Sequence, residues 1–308
     1  MTTAFIFPGQ GSQAVGMLAE LAQQHPQVEA TYAEASAVLG YDLWALVQQG
    51  PELELNQTAR TQPAMLAAGV AVWRVWQASE GKLPARLAGH SLGEYTALVC
   101  AGAISFGDAV ALVAKRGELM QQAVPDGAGA MAAILGLEDA AVRKVCAEAS
   151  QGEVVEAVNF NAPGQVVIAG TQTAVARAAA SAKEAGAKRV LLLPVSVPSH
   201  CALMKPAAQK LAAYLEQIVW QAPRIPVVSN VDVAAYETAA AIRDGLVRQL
   251  YQPVRWVEVI QSLAAAGADS FVECGPGKVL AGLNKRIVPE VRTLAVYDTP
   301  TLAQALTA

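Results

Sequence analysis

Short apolar runs alternate with longer stretches of helical periodicity along this chain. TAFIF (Thr3–Phe7) is rich in β-branched and aromatic residues and stops at Pro8-Gly9, which predicts a buried strand. Helices are expected over Val15–Gln24, Val28–Leu39 and, as a long apolar element, Pro63–Gln77. Arg86–Gly89 reads as the end of a short strand, with helices over Glu94–Ala101 and Phe106–Val124. Strands alternating with helices imply a parallel α/β sheet.

The pattern changes after the breaker Pro125-Asp126-Gly127. Strand Gly129–Leu135, helix Glu138–Ala149, strands Val154–Asn159 and Gln165–Ala169, helix Thr173–Ala185 and strand Arg189–Pro194 give the order βαββαβ. A turn at Asn161–Gly164 separates the middle strands. That order is the ferredoxin-like unit. The α/β pattern then resumes: helix Cys201–Val219, strand Val227–Val231, helices Ala239–Leu250 and Val257–Ala266, strand Ser270–Glu273, and a helix ending near Ile287. The expected organisation is a core of residues 1–124 and 197–308, interrupted by a subdomain of 125–196.

Composition narrows the function classes. The chain has 308 residues, 54% of them hydrophobic, which is ample for a large core and by length suggests two domains. Net charge is -4, and no basic stripe suits a nucleic-acid binder. Apolar runs are short or interrupted, as in LLLPVSVPSH (191–200), so no membrane span is expected. MTTAFIFPGQG lacks a basic n-region and meets Pro-Gly too early for a signal peptide. Cys100, Cys146, Cys201 and Cys274 lack paired metal-ligand spacing and fit small core residues in a reducing cytoplasm. No metal and no cofactor are expected, and with no long apolar surface helix left over the chain reads as a monomer.

The candidate chemistry centres on Gly89-His90-Ser91-Leu92-Gly93, which fits G-x-S-x-G between a strand and a helix. In that setting a serine sits on a sharp turn with its hydroxyl projecting into a cleft, and the next helix aims free amides at the site. The bland reading is a helix start, because Ser91 followed by Glu94 is also a capping box.

A serine nucleophile needs a base, and the chain has three histidines. His25 lies between two surface-looking helices. His90 neighbours Ser91, and adjacent strand residues point to opposite faces, so it suits a place lining the cleft better than the base. His200, in the loop after the strand Arg189–Pro194, stands where α/β sheets place site residues, and by elimination is the base. An oxyanion hole needs two donors. Leu92 N–H is one; the other is assigned to Gln10 N–H, in the glycine-rich loop FPGQGSQ (7–13). Gly9, Gly11 and Ala14 mimic a dinucleotide fingerprint, but Glu29 and Glu34 lie in a helical stretch where that motif needs an acid at a strand end.

Arg116 falls in the apolar stripe Ala109, Leu112, Val113, Leu119, Met120 of its helix. It either snorkels to the surface or faces a cleft and awaits an anion. A guanidinium matches a carboxylate as a bidentate pair. The sequence pattern leaves both readings open.

Taken in order, FPGQGSQ (7–13), QPA (62–64), GHSLGEYTAL around Ser91, AKRGELMQ (114–121), GAMAAILGL (129–137), NFNAPGQVVIAG (159–170), VPSH (197–200), SNV (229–231), RQLYQPVRW (248–256) and ECGPGKVL (273–280) resemble the malonyl-CoA:acyl carrier protein transacylases over nearly the whole chain. The resemblance implies an α/β-hydrolase-like core with an inserted ferredoxin-like subdomain, serving fatty acid synthesis. It implies Ser91 as nucleophile and His200 as base and acid. It also implies Arg116 as ligand of the malonyl carboxylate, and Gln10 and Leu92 amides as the oxyanion hole. The main-chain carbonyl of Gln249 takes the place of a triad carboxylate, and His90 and Asn161 line the site. Ser199 departs from the phenylalanine many relatives carry beside the acyl group; Ser229 and Cys274 replace a common asparagine and aliphatic residue. Malonyl-CoA and an acidic carrier protein are the implied partners, with Lys188-Arg189 and Lys285-Arg286 as candidate docking charges. A thioester hydrolase, a polyketide acyltransferase and a non-catalytic carrier-binding scaffold are the rival readings.

Overall fold

The computed structural model describes residues 2–195 and 197–308; Met1 and Ser196, at ends of the expected core and subdomain segments, lie outside them. The chain opens with β1 (Thr3–Phe7), α1 (Ala19–Gln24), α2 (Gln27–Leu39), α3 (Leu43–Gln49), α4 (Glu52–Leu55) and α5 (Thr58–Ala78). β2 (Arg86–Gly89), α6 (Leu92–Cys100) and α7 (Phe106–Gln122) follow. The second unit is β3 (Gly129–Leu135), α8 (Asp139–Ser150), β4 (Val155–Ala162), β5 (Gln165–Thr171), α9 (Gln172–Glu184) and β6 (Arg189–Leu192). The chain returns through α10 (Lys205–Leu215), β7 (Val227–Val228), α11 (Ala239–Gln249), α12 (Trp256–Ala265), β8 (Ser270–Cys274), α13 (Val279–Ile287), β9 (Arg292–Val296) and α14 (Thr299–Leu306).

Two sheets result. The first has five strands in the order β7-β2-β1-β8-β9, every neighbouring pair parallel. Alternation along β1 sends Phe5 and Phe7 into the larger core and Ala4 and Ile6 into a second core on the other face. Both faces are therefore covered, as a parallel sheet requires. Phe5 anchors the larger core edge-on against Trp73 and Trp76 of α5, with ring centroids 5.7 and 5.0 Å away. The second sheet has four strands in the order β4-β5-β3-β6, all antiparallel, which is the arrangement a βαββαβ unit adopts. Val254, in the loop before α12, bonds Val158 and Phe160 of β4 through its backbone and ties the second sheet to the segment leading into α12.

Several expected elements are corrected. α5 begins at Thr58 rather than Pro63, because its first turn is held by tertiary contacts. Gln121 accepts from Ala59 N–H at 3.0 Å, and Gly117 lets α7 pack against the Ala59 backbone. Pro63 costs one backbone bond inside a helix that packing sustains. The helix expected over Cys201–Val219 is a 3-10 turn at Ala202–Met204 followed by α10. The strand expected over Val227–Val231 stops at Val228, and the residues beyond it turn toward the elbow. Asn161 and Ala162 belong to β4, not to a turn. α3, α4, β9 and α14 were not foreseen.

Candidate active site

β1 and β2 end side by side, with Phe7 opposite Gly89, so the loops leaving them share one edge of the sheet. Glycine permits their contact. A β-carbon on Gly9 would lie 2.4 Å from His90 O, and one on Gly93 would lie 2.0 Å from Phe7 O. Ser91 occupies the turn itself with φ 50° and ψ -106°, a conformation that strains any side chain-bearing residue. Its hydroxyl makes no capping bond to α6, which removes the capping-box reading.

That hydroxyl lies instead 2.8 Å from His200 Nε2. His200 is buried, with its own φ at 65°, and its backbone N–H donates to Leu250 O at 2.9 Å. The second ring nitrogen, Nδ1, lies 2.6 Å from the Gln249 carbonyl and must donate to it, leaving Nε2 as a bare acceptor facing Ser91. Burial first, then the nearby Arg116 charge and His90, push the His200 pKa down to about 3, against the Gln249 carbonyl, which pushes it up. The imidazole is thus neutral, the state a general base requires.

The Ser91 N–H is committed to Asn230 Oδ1 at 2.7 Å, while Asn230 Nδ2 donates to Gly89 O at 2.7 Å. One asparagine side chain thereby staples both ends of the elbow. Leu92 N–H and Gln10 N–H donate to no acceptor among the described residues, as donors reserved for a ligand would.

Arg116 is 1% exposed, so the snorkelling reading is excluded. Its Nη1 donates to Gln62 Oε1 at 2.8 Å, and its Nη2 reaches Gln249 Oε1 at 3.1 Å and Ser91 Oγ at 3.3 Å. The cation lies over the Tyr95 ring at 5.2 Å, and Nε has no partner. No ion pair to Arg116 occurs among the described residues. His90 turns away from Ser91, bonds Asn161 Oδ1 at 2.8 Å and packs on Trp256. Burial pushes its pKa down. That pair joins the loop after β2 to β4.

The structure therefore gathers Ser91, His200, Arg116 and Gln249 into one bonded cluster, with His90 and Asn161 bonded to each other beside it. Sequence reasoning gave no site role to Gln62 or Asn230, and placed Glu94 only in a capping box with Ser91. Gln62 carried the one usable signal, a polar residue in the apolar helix α5. Glu29 and Glu34 lie in α2, away from any strand end, and no three His, Cys, Asp or Glu side chains among the described residues can share a metal ion.

Comparison with known proteins identifies the family of the chain. The acyl transferase domain family matches residues 4–298. Malonyl CoA-acyl carrier protein transacylase of Salmonella typhimurium is 63% identical over 304 residues, covering 99% of this chain and 98% of its own. The enzyme of that name from Bacillus subtilis is 47% identical, covering 98% and 96%. Among solved structures, the Vibrio cholerae acyl carrier protein S-malonyltransferase superimposes with a TM-score of 0.97 at 62% identity, covering 99% of each chain. A malonyl-transacylase solved in complex with a type II PKS acyl-carrier protein superimposes with a TM-score of 0.99 at 60% identity, covering 100% of this chain and 99% of that one. A serine on a strained elbow, a neutral histidine against it and a buried arginine beside it thus stand in a chain that belongs to the malonyl CoA-acyl carrier protein transacylase family.

Proposed function

We propose that Ser91, activated by His200, carries the malonyl group from malonyl-CoA to the phosphopantetheine thiol of an acyl carrier protein, for fatty acid synthesis. The observation that carries this reading is the chain Ser91 Oγ, His200 Nε2, His200 Nδ1, Gln249 O, at 2.8 and 2.6 Å. His200 takes the Ser91 proton as Oγ attacks the thioester carbonyl. Gln10 and Leu92 amides receive the oxyanion. The C–S bond breaks, and the proton on His200 passes to the departing CoA thiolate. The carrier thiol then attacks the malonyl-serine ester by the same route, His200 accepting its proton and returning it to Ser91 Oγ.

Arg116 supports malonyl as the acyl group. Gln62 and Gln249 hold it beside Ser91 with no anion in direct contact among the described residues, so a carboxylate on the attached acyl chain completes its coordination. We seat that chain in the cleft between the core of 1–124 and 197–308 and the subdomain of 125–196, with His90 and Asn161 on its wall. The four cysteines are free, and no helix among the described residues is long and apolar enough to cross a membrane, which supports a cytoplasmic setting.

The test is intact mass after mixing with malonyl-CoA alone. The native chain should gain one malonyl group, lost again on adding carrier protein, and Ser91→Ala should gain none. Steady CoA release without an adduct would mean a hydrolase instead, and neither adduct nor release would remove the proposal.

A further inference from the structure

Glu94 is a buried acid that the transfer steps above do not use. Its Oε2 accepts from Gln249 Nε2 at 2.8 Å and from Asn230 N–H at 3.0 Å. Each partner continues to the reacting serine. Gln249 donates also to Ser91 O at 3.2 Å and accepts from Arg116 Nη2 at 3.1 Å. Asn230 Oδ1 takes the Ser91 N–H. The Gln249 amide is thus a bridge between an anion and a cation that do not touch, oxygen toward Arg116 and nitrogen toward Glu94.

Charge in this closed space is simple to count. Facing Glu94 are Arg116 from α7 and Tyr95 from its own helix α6; Gln249 of α11 and Ser229 and Asn230 of the loop after β7 add neutral hydrogen bonds. His200 is neutral. One cation therefore balances one carboxylate in the free protein. A malonyl group on Ser91 brings a second carboxylate to the same cation, and two anions sharing one buried cation cannot both stay ionised at no cost.

We infer that Glu94 is the counter-charge of Arg116, relayed through the Gln249 amide, and that it takes up a proton when an acyl carboxylate occupies Arg116. Neutralising Glu94 releases Arg116 for the acyl carboxylate, so the residue is a positioning and charge-balancing group specific to dicarboxylic acyl chains. Burial already pushes the Glu94 pKa up to about 7, against the hydrogen bonds from Asn230 and Gln249 and the Arg116 charge, so the proton is close at hand at neutral pH. An acetyl group adds no charge and should leave Glu94 as it was.

The inference rests on acylation of Ser91, and its test separates the two. Transfer from CoA to serine converts a hydroxyl and a thioester into an ester and a thiol, with no net proton at pH 7, where a simple thiol stays protonated. The full chain is mixed with malonyl-CoA in weak buffer with a pH indicator, and adduct is measured by mass in the same sample. Counted against the acetyl-CoA reaction, which cancels ionisation of the released thiol above pH 7, uptake should reach about half a proton per malonyl adduct at pH 7, rise toward pH 8 and fade by pH 6. Acetyl-CoA should give adduct without uptake, and the uptake per malonyl adduct should vanish in Glu94→Gln. An infrared difference spectrum of the native chain, which needs no variant, should show a protein carboxylate becoming a protonated carboxyl on malonylation. Adduct without uptake, or uptake without a new carboxyl band, as when His200 takes the proton, overturns the assignment to Glu94. Absence of adduct overturns the acylation reading and this one with it.

Discussion

Nη2 of Arg116 lies 3.3 Å from Ser91 Oγ while the same nitrogen holds Gln249 Oε1 at 3.1 Å. A cation this close to the hydroxyl favours its alkoxide, and it also lies within reach of a carboxylate on an acyl chain attached there. Selection of the acyl group and activation of the serine therefore share one side chain.

Arg116→Ala should separate these roles. Losing one partner of a desolvated, charge-assisted pair costs roughly 2–5 kcal/mol, so kcat/KM for malonyl-CoA should fall by about 30-fold or more. Acetyl transfer should fall far less, since it loses only the cation beside the hydroxyl and no carboxylate partner. Arg116→Lys should rescue little, because an ammonium lacks the planar fork. Equal losses for both acyl groups in a stopped-flow CoA-release assay would refute the selective role.

The low His200 pKa fixes the sign of the pH dependence. Its folded value of about 3 lies below that of an ordinary imidazole, so His200 remains a working base as pH falls through 6. The acid limb of kcat/KM for acylation with acetyl-CoA should therefore lie well below the ordinary histidine range. Arg116→Ala removes one cause of the depression and should move that limb upward. For stability, the unfolded chain binds the proton first, so this contribution is complete above about pH 6.5 and is lost as pH falls toward 3.

Gln249 works through its backbone and its side chain separately. Its carbonyl orients His200, and its amide positions Arg116. Gln249→Ala deletes only the second, so it should weaken malonyl-CoA use by roughly 10-fold while the acetyl pH profile keeps its acid limb. An acid limb displaced to ordinary histidine values would show that the main-chain contact was lost too.

Gly93→Ala should destabilise the fold by about 3 kcal/mol, because its β-carbon would lie 2.0 Å from Phe7 O, where backbone cannot yield. Gly282→Ala, with open space around its β-carbon, is the control. Urea unfolding midpoints compare the two directly.

The two basic pairs, far apart in sequence, converge in the fold. Arg286 donates to Gln165, whose register partner Leu135 is also the partner of Arg189, and Lys188 N–H bonds Leu135 O. All four cations are exposed. If this corner receives an acidic carrier, Lys285→Glu with Arg286→Glu should raise the carrier KM several-fold at low salt and leave malonyl-serine formation unchanged. An unchanged carrier KM would remove this corner from docking.

The elbow was legible in the sequence because its chemistry is local: strand, glycine, serine, glycine and helix lie within a few residues. His200 was legible because histidines are scarce. Gln62, Glu94 and Asn230 were not, since their roles come from partners up to 155 residues away that only the sheet order brings close. For Arg116 the pattern could not tell a snorkelling side chain from a buried one, because both readings occupy the same helical stripe. The extra helices and β9 went unread where periodicity was too short to register, and the start of α5 was misjudged because contacts with α7, not local propensity, decide it.

Ser91 and His200 share one more property: each carries a side chain at positive φ, 50° and 65°. Such backbone costs about 1–3 kcal/mol apiece and is relieved by glycine. The two reacting groups thus sit where the fold would gain by losing them. Ser91→Gly should melt at a higher temperature than the native chain while transferring nothing, so selection for heat resistance alone would drive this protein toward an inert one.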